Sequence, residues 1–355
     1  MKAGDRDKSV RHCWLWRVRS ALVSLACGAG LVCAAQGPAD SNLRMEDVLA
    51  ALGRISETPH AIPCDSGGFD VPRGGHLQGI QQVVIDGRPF LVLSGSASDE
   101  SYLALIGLEG SMGRVAAVKP LMSRPFNHAG GFQVCGNYLA VGIEDDNTKM
   151  TSRVWILRLA ELLHAAGPRP LVEIERTGAY QRATAGAVAM ARVRDRHLLC
   201  VGTWDSATID IYLSSAKALD DPACAFAFRE TWDARSADRS DWSDRDYASY
   251  QNLNLVVDTN DTVFLVGFAH TGGADVMDVF ELRMETSVPV EKRLRKVLRR
   301  ALHGRETSFR HGSGLVIADA NTVAVLACGY QEFVIECFES ERNARSNDTE
   351  QVDRP

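Results

Sequence analysis

Three histidines of this 355-residue chain stand in the same short motif, His-x-x-Gly, at widely separated positions. They are His76, His128 and His311, and the glycines that follow are Gly79, Gly131 and Gly314. Neutral imidazole is the commonest protein ligand of divalent transition metals, so three such rings brought to one point could hold an ion. The histidines could equally bind a ligand without metal, or bond a backbone group and serve the fold. The elements that carry them decide among these alternatives.

Each motif opens a stretch of two apolar runs that are separated by a turn of Asp, Gly or Asn. Two further stretches share this pattern without the histidine. The equivalent positions are 79, 131, 186, 252 and 314, so one repeat spans 52 to 66 residues. Apolar runs of this length with such turns predict short strands joined as hairpins. One unit cannot bury its own apolar faces, so the units must stack on one another.

Five such repeats of about four strands resemble a five-bladed β-propeller, an all-β fold, over roughly residues 56–338. The last repeat supplies three strands only, near 313–318, 322–328 and 332–338. Since an unpaired sheet edge must be covered, we expect a segment between residues 56 and 63 to add the missing outer strand and close the ring. A short amphipathic helix is predicted before it, over 42–54, from the apolar spacing of Met45, Val48, Leu49 and Leu52, with Ser41 or Asn42 as its cap.

The resemblance gives the histidines a place, because the first strand of each propeller blade lines the central channel. His76, His128 and His311 would then ring one mouth of that channel, where they are the predicted ligands of a divalent metal ion. The loops between second and third strands share this face, and so does the start of the fourth inner strand. They add the other predicted ligand-binding residues, which are Gln251, Asp145, Asp205 and Trp204.

Some propeller enzymes are similar in this respect. Those that cleave carotenoids use four inner-strand histidines, and certain pectin lyases use three histidines and a glutamine. Five-bladed glycosidases of the arabinanase and fructosidase type are similar in blade number and need three carboxylates on channel-facing strands. In this chain the strand openings carry His, Thr, Gln or Asn, and Ala183 and Ser249 occupy the places equivalent to the histidines. The resemblance therefore reaches the propellers as a class and no single enzyme family.

The first 35 residues predict a secretory signal peptide, since six basic residues precede an apolar run from 21 to 32 and small residues follow. Its removal takes the counts from 39 basic and 45 acidic residues to 33 and 43, a net charge of −10. That balance disfavours nucleic acid, whose affinity depends on Lys and Arg at phosphates. We expect an exported monomer, periplasmic or extracellular, with no transmembrane span in the mature chain.

Six cysteines remain after this removal, namely Cys64, Cys135, Cys200, Cys224, Cys328 and Cys337. An even number in an oxidising compartment permits disulfides. Cys135, Cys200 and Cys328 lie in or beside apolar strands, where they would serve equally well as small buried side chains. No Cys-x-x-Cys pair is present to begin a zinc site.

The chain is thus predicted to contain the signal peptide (1–35), a linker with the short helix (36–58), the propeller (59–340) and a disordered polar tail (341–355). Within the propeller, residues 231–249 form a long polar loop with several aromatic residues, which could be a lid, an aromatic platform at the mouth or a plain surface insertion. Residues 291–305 could form a basic amphipathic helix, but a four-stranded blade favours an outer strand with a charged edge.

The sequence favours an exported propeller that binds a small molecule, a saccharide or a protein partner at the mouth, with no catalysis. The alternative is a metal-dependent hydrolase or lyase that acts on a saccharide or similar small substrate through His76, His128 and His311. The metal and the substrate are not identified by any motif.

Overall fold

The computed structural model describes residues 43–340. The predicted signal peptide and the predicted tail lie outside these residues. The described chain begins with a short helix and two short strands: α1 (Val48–Gly53), β1 (His60–Ile62) and β2 (Cys64–Asp65). Among residues 43–340, no helix is long and apolar enough to cross a membrane.

The strands that follow form antiparallel groups of four, and a single parallel bridge between Gly131 and Ala187 joins the second group to the third. The first blade contains β3 (His76–Ile85), β4 (Arg88–Ser96), β5 (Glu100–Glu109) and β6 (Met112–Ser123), with β2 along its outer edge. The second contains β7 (His128–Cys135), β8 (Tyr138–Glu144), β9 (Thr151–Arg158) and β10 (Val172–Thr177), with α2 (Glu161–His164) before β10. The third contains β11 (Ala187–Val193), β12 (Arg196–Gly202), β13 (Thr208–Ser214) and β14 (Phe226–Asp233).

The fourth blade contains β15 (Asn252–Val257), β16 (Val263–Thr271), β17 (Ala274–Leu282) and β18 (Leu294–Leu302). The fifth contains only β19 (Gly312–Ile317), β20 (Val323–Cys328) and β21 (Ile335–Glu339) from the end of the chain. Its outer strand is β1, which pairs antiparallel with β21 so that His60 lies opposite Cys337 and Ile62 opposite Ile335. An N-terminal strand therefore covers the edge that the last three strands leave exposed.

The apolar core is divided into five clusters, each between two neighbouring blades. The cluster between the fifth and first blades, for example, joins Leu326 and Cys337 to Leu77 and Leu93. Each blade thus buries its two faces against its neighbours, as the repeat pattern requires. The fold is a five-bladed β-propeller, as the sequence predicts.

The N-terminal helix is shorter than the predicted 42–54. Asp47 caps it, because the backbone of Asp47 is extended and its side chain accepts a hydrogen bond from the Ala50 N–H at 2.8 Å. Met45, predicted as part of the helix, lies before it and forms an isolated bridge with Asp258. Met45 and Leu52 are nevertheless buried, between the fourth and fifth blades. The cap thus sets the helix start at a later residue than Ser41 or Asn42.

The basic segment 291–305 contains β18, the outer strand of the fourth blade, so the predicted strand is confirmed. Of the three alternatives for residues 231–249, the aromatic platform is not supported, because the aromatic rings are buried. Trp242 is buried, packs against Phe280 at 5.5 Å between ring centroids, and donates its indole N–H to the Leu294 carbonyl. Trp232 and Tyr250, the residue directly after this loop, are buried in the same cluster, so these rings stabilise the fold.

Cys64, Cys200, Cys224, Cys328 and Cys337 are free thiols, so none of these five forms the permitted disulfide. Burial raises the pKa of the Cys328 thiol to about 12 and also raises that of Cys200. Cys135 is buried between the second and third blades. The three strand cysteines are therefore small core side chains.

Candidate functional site

Two inner strands carry a β-bulge directly after their opening histidine. In β3 the register shifts between Leu77 and Ile80, and in β7 it shifts at the equivalent place, between Ala129 and Phe132. A bulge bends its strand and redirects side chains. Both strands thus have the same irregularity within the His-x-x-Gly motif.

Glycine is required after the first bulge because the inner strands approach closely. A Cβ at Gly79 would lie 2.7 Å from the Phe132 ring and 3.2 Å from Asn252 Oδ1. Ser94 joins the two bulges, since its hydroxyl accepts from the Gly79 N–H at 2.8 Å and donates to the Gly130 carbonyl at 2.7 Å. The motif glycine is thus a packing residue, and it fixes the distance between the first two blades.

The two bulged strands bring His76 and His128 into contact. Their Nε2 atoms are 3.3 Å apart, and the ring centroids are 5.2 Å apart. Gln78 completes a triangle, because its Oε1 lies 2.8 Å from His76 Nε2 and 3.1 Å from His128 Nε2. We call these three residues the mouth cluster. Its reactive atoms are two imidazole nitrogens and one amide oxygen.

A buried carboxylate orients one of these rings. Glu144 Oε2 lies 3.0 Å from His128 Nδ1, and both side chains are almost fully buried. The second oxygen of Glu144 accepts from the Ala185 N–H at 2.6 Å. Since both carboxylate oxygens are occupied, Glu144 fixes the His128 ring and directs the Nε2 atom into the mouth cluster. It is not available as a free acid or nucleophile.

His76 is held in a similar way by a neutral partner, the hydroxyl of Ser96, which lies 2.9 Å from His76 Nδ1. Burial and the neighbouring His128 lower the pKa of His76 to about 4. The ring is therefore neutral near pH 7, and neutral imidazole is the form that acts as a ligand or a base.

Aromatic rings flank the mouth cluster. Tyr330, which is exposed, stacks on His76 with the ring centroids 5.1 Å apart. Trp204 lies 5.5 Å from the His128 ring, and Lys149 Nζ is 3.4 Å from the centroid of the Trp204 ring. Half-exposed rings beside a polar centre form the kind of surface on which an amphipathic small ligand packs.

His311 does not join the other two histidines. Its ring contacts Tyr330, with the ring centroids 4.5 Å apart. Its backbone N–H donates to the Ser308 carbonyl in a turn before β19. That strand pairs with β20 without a register shift, so the bulge of β3 and β7 is missing from it. Burial, and then the adjacent Arg310, lower the pKa of His311. The same motif thus has a different local structure in the fifth blade.

The other predicted site residues divide into two groups. Gln251 reaches the cluster, since its Oε1 accepts a hydrogen bond from Gln78 Nε2 at 3.2 Å, and Trp204 flanks it as described. Asp145 instead caps its own loop through Asn147 and Thr148. Asp205 does the same for the turn at Thr203, so both aspartates serve their loops.

Among residues 43–340, the one group of three His, Cys, Asp or Glu side chains with ligand atoms within 4.8 Å of one another is His60, Cys337 and Glu339, between β1 and β21. The three predicted histidines do not form such a group. In this structure, therefore, His311 does not lie with His76 and His128 as a third ligand of one ion.

Sequence reasoning missed Gln78, Ser96 and Tyr330. A signal for Gln78 was present, because residues i and i+2 of a strand share a face and Gln78 follows His76 by two. Tyr330 gave no such signal, since it lies in the loop between β20 and β21 and reaches His76 only through the closed ring. The pairing of Glu144 with His128 was also missed.

No family model matches the chain, and no curated protein does. Among solved structures, the chain is similar to the catalytic domain of the Coprinopsis cinerea GH62 α-L-arabinofuranosidase, with 10% identity, coverage of 85% of this chain and 98% of that one, and a TM-score of 0.45. It is also similar to a GH43 β-xylosidase/α-arabinofuranosidase from a compost microbial metagenome (9%, 81% and 96%, TM-score 0.46). A third such structure is the α-L-arabinofuranosidase of Podospora anserina (7%, 86% and 99%, TM-score 0.43).

These three structures are glycosidases, which corrects the main functional prediction from the sequence, a propeller that binds at its mouth with no catalysis. That prediction is therefore not carried further. Likeness at this level of identity concerns the fold alone. Any activity of this chain has to be argued from its own site.

Proposed function

We propose that the protein is an exported hydrolase or lyase that cleaves a saccharide or a similar small polar substrate at the channel mouth. The observation that carries this proposal is the buried Glu144–His128 pair, with His128 Nε2 lying 3.3 Å from His76 Nε2. A carboxylate that orients an imidazole toward a second reactive group is a recurrent catalytic arrangement. The export follows from the predicted signal peptide.

The arrangement differs from that of a two-carboxylate glycosidase. That mechanism needs two carboxyl groups on either side of the scissile bond. In the mouth both oxygens of Glu144 are engaged, and Asp145 caps its own loop. The imidazole pair is therefore the catalytic centre. Since the His76 ring is neutral near pH 7, positive charge at this centre has to come from a bound cation, which would stabilise the substrate oxygen on which negative charge develops.

Substrate binding is assigned to the rings beside this centre. Tyr330 and Trp204 offer faces on which the apolar side of a sugar ring can pack, while Lys149 and the amide of Gln251 offer polar contacts. A mostly apolar surface with a few directed polar groups is typical of small-molecule sites.

The test is cleavage of a panel of neutral and uronate-containing oligosaccharides, followed by chromatography of the products. An unsaturated product identifies a lyase, and two saturated products identify a hydrolase. His128→Ala should lower the turnover about 10²–10³-fold, the loss typical of removing one group that stabilises developing charge.

His164→Ala is the matched control. His164 also pairs with a carboxylate, Asp86, at 2.7 Å, but this exposed pair includes the turn between β3 and β4, at the other end of the blade. The activity of His164→Ala should equal that of the parent. The proposal fails if the folded parent cleaves no member of the panel, or if the two variants lose activity equally.

A further inference from the structure

The mouth cluster contains hydrogen-bond acceptors that face one another. Glu144 has both oxygens accepting, so His128 Nδ1 carries the proton of that contact and a neutral His128 ring presents a lone pair at Nε2. Gln78 donates its amide N–H to Gln251, and its Oε1 therefore also presents lone pairs. These two acceptor atoms lie only 3.1 Å apart.

His76 adds the third atom. Its Nδ1 contacts the Ser96 hydroxyl at 2.9 Å, while its Nε2 lies 2.8 Å from Gln78 Oε1 and 3.3 Å from His128 Nε2. A proton on His76 Nε2 would serve one or two of these contacts, but the oxygen and His128 Nε2 would still face each other. Reversing the Gln78 amide would set its oxygen against the Gln251 oxygen instead, unless that amide reversed as well.

The three distances correspond to the edges of a metal coordination shell. Ligand atoms about 2.0–2.1 Å from an ion and about 90–110° apart lie about 2.9–3.4 Å from each other. The mouth cluster has edges of 2.8, 3.1 and 3.3 Å. One cation at the centre of the triangle would accept all three lone pairs at once.

The surroundings are also those of a metal site. Metal-bound histidines usually donate their other ring N–H to a carboxylate, a carbonyl or another oxygen, which fixes the ring. Glu144 has this position behind His128 and Ser96 has it behind His76, in strands β8 and β4 that pair directly with β7 and β3. Two independent oxygen partners thus hold the two nitrogens in place.

We propose that His76 Nε2, His128 Nε2 and Gln78 Oε1 bind a divalent first-row transition ion such as Zn²⁺ or Mn²⁺. Two imidazoles and one amide oxygen suit these ions better than Ca²⁺, which prefers an all-oxygen shell. Three protein ligands leave at least one position for water or a substrate oxygen, as catalytic sites do. The ion supplies the positive charge required at this centre, and its use in catalysis rests on the proposed function.

The ligand set differs from the one predicted from the sequence, since Gln78 replaces His311. Two single variants separate the two sets. Gln78→Met keeps a side chain of similar length without the oxygen, and His311→Ala removes the third histidine of the same mouth. The measurement is isothermal titration of the full mature chain with Zn²⁺ after treatment with EDTA, with Ca²⁺ as a comparison ion.

The parent should bind one Zn²⁺ per chain and should bind Ca²⁺ much more weakly. Gln78→Met should weaken Zn²⁺ binding at least tenfold, Glu144→Gln about 10–100-fold, and His311→Ala by no more than about twofold. Far-ultraviolet circular dichroism in EDTA shows that each variant is folded. If Glu144→Gln fails to fold, Gln78→Met alone still decides the question.

The inference is overturned if the folded parent binds no transition ion, since a proton then occupies the cluster, or if His311→Ala loses binding while Gln78→Met keeps it. A protein that cleaves a saccharide but binds no transition ion contradicts this inference and supports the proposed function. A protein that binds the ion and cleaves nothing supports this inference and contradicts the proposed function.

Discussion

Two buried polar clusters of this propeller have opposite chemistry. In the fourth blade, Asp278 and Lys296 are fully buried with Nζ to Oδ2 at 3.0 Å. Asp278 also accepts from Arg299 Nε at 2.7 Å and from the Tyr250 hydroxyl at 2.5 Å, and Lys296 contacts Asp244 at 2.8 Å. Donors and acceptors face each other throughout. We call this the blade-four cluster.

The mouth cluster has a different composition, because Gln78 Oε1 and the Nε2 atom of a neutral His128 are acceptors that face each other whichever nitrogen of His76 carries the proton. A balanced cluster is complete within the chain and is explained by stability alone: it holds the loop 231–249 against β17 and β18. A cluster of facing acceptors is incomplete until a cation arrives. Burial of polar groups is common to both, so the match of donors to acceptors is what distinguishes a structural cluster from a candidate site.

The largest effect on stability is expected for Asp278→Ala. It leaves the buried Lys296 ammonium with fewer acceptors, and breaking a buried ion pair from one side typically costs about 3–5 kcal/mol. Urea unfolding measures this loss. The control Lys217→Ala removes an exposed ion pair with Asp195 and should cost no more than about 1 kcal/mol. Equal effects of the two variants would contradict the structural role of the blade-four cluster.

A buried imidazole outside both clusters tests what burial alone does. Burial and then Arg192 lower the pKa of His197 to about 4, below its ordinary 6.5. The unfolded chain therefore takes up the proton first, so stability falls as the pH drops from about 6.5 to 4. The contribution is about 3 kcal/mol, since one pKa unit corresponds to about 1.4 kcal/mol.

His197→Leu should make this part of the profile less steep, measured as the free energy of unfolding between pH 7 and 4, while His76 keeps its own contribution. His164→Leu, at an exposed position, should leave it as in the parent. A parent profile without a decrease over this range would contradict the expectation.

Zn²⁺ should stabilise the mouth cluster and leave the blade-four cluster unaffected. At a free concentration about 100 times the dissociation constant, a ligand of the native state adds about 2.7 kcal/mol to the free energy of unfolding. Asp278→Ala should show the same Zn²⁺-dependent gain as the parent, and Gln78→Met should show a much smaller one at that concentration. Thermal denaturation with and without Zn²⁺ measures the gain for the parent and for each variant. A parent whose stability does not rise with Zn²⁺ would contradict the distinction between the two clusters.

The smallest effect is expected for Gln78→Met in EDTA. The substitution removes the hydrogen bond to Gln251 but also removes an acceptor that crowds two others. The two changes oppose each other, so the unfolding free energy should stay within about 1 kcal/mol of the parent. A loss of several kcal/mol in chemical denaturation would show that the mouth cluster is already balanced without an ion.

The fold could be predicted because its signals are local. Apolar runs and their turns predict the strands of each blade, and the lack of a fourth strand after 332–338 predicts a partner from the N-terminus. The start of α1 was misplaced, because the apolar spacing extends through Met45 while the Asp47 cap determines where the helix begins. For residues 231–249 the sequence left a lid, an aromatic platform and a surface insertion open, because a polar loop gives no sign of which rings it buries.

The site could be predicted only in part, because contacts between blades are not local. His76 and His128 come together as predicted. The bulges that bring them together were not predicted, because the shared motif indicates only that a glycine is required. His311 shares the motif, yet β19 has no bulge and the ring remains in a turn. The pairing of Glu144 with His128 depends on the register between β7 and β8. The hydrophobic pattern indicates which face of each strand is buried, but it does not indicate which residues of the two strands lie opposite each other.

Because β1 is the outer strand of the fifth blade, this blade is expected to form last. The partner of β1, β21, is the last strand of the described residues, so the pair joins two segments that lie far apart in the sequence. Four blades can form from consecutive strands, but the fifth stays without its outer strand until β1 and β21 meet, and long-range pairing of this kind is slow. A chain truncated during synthesis would therefore keep an open sheet edge, which would distinguish it from the finished protein.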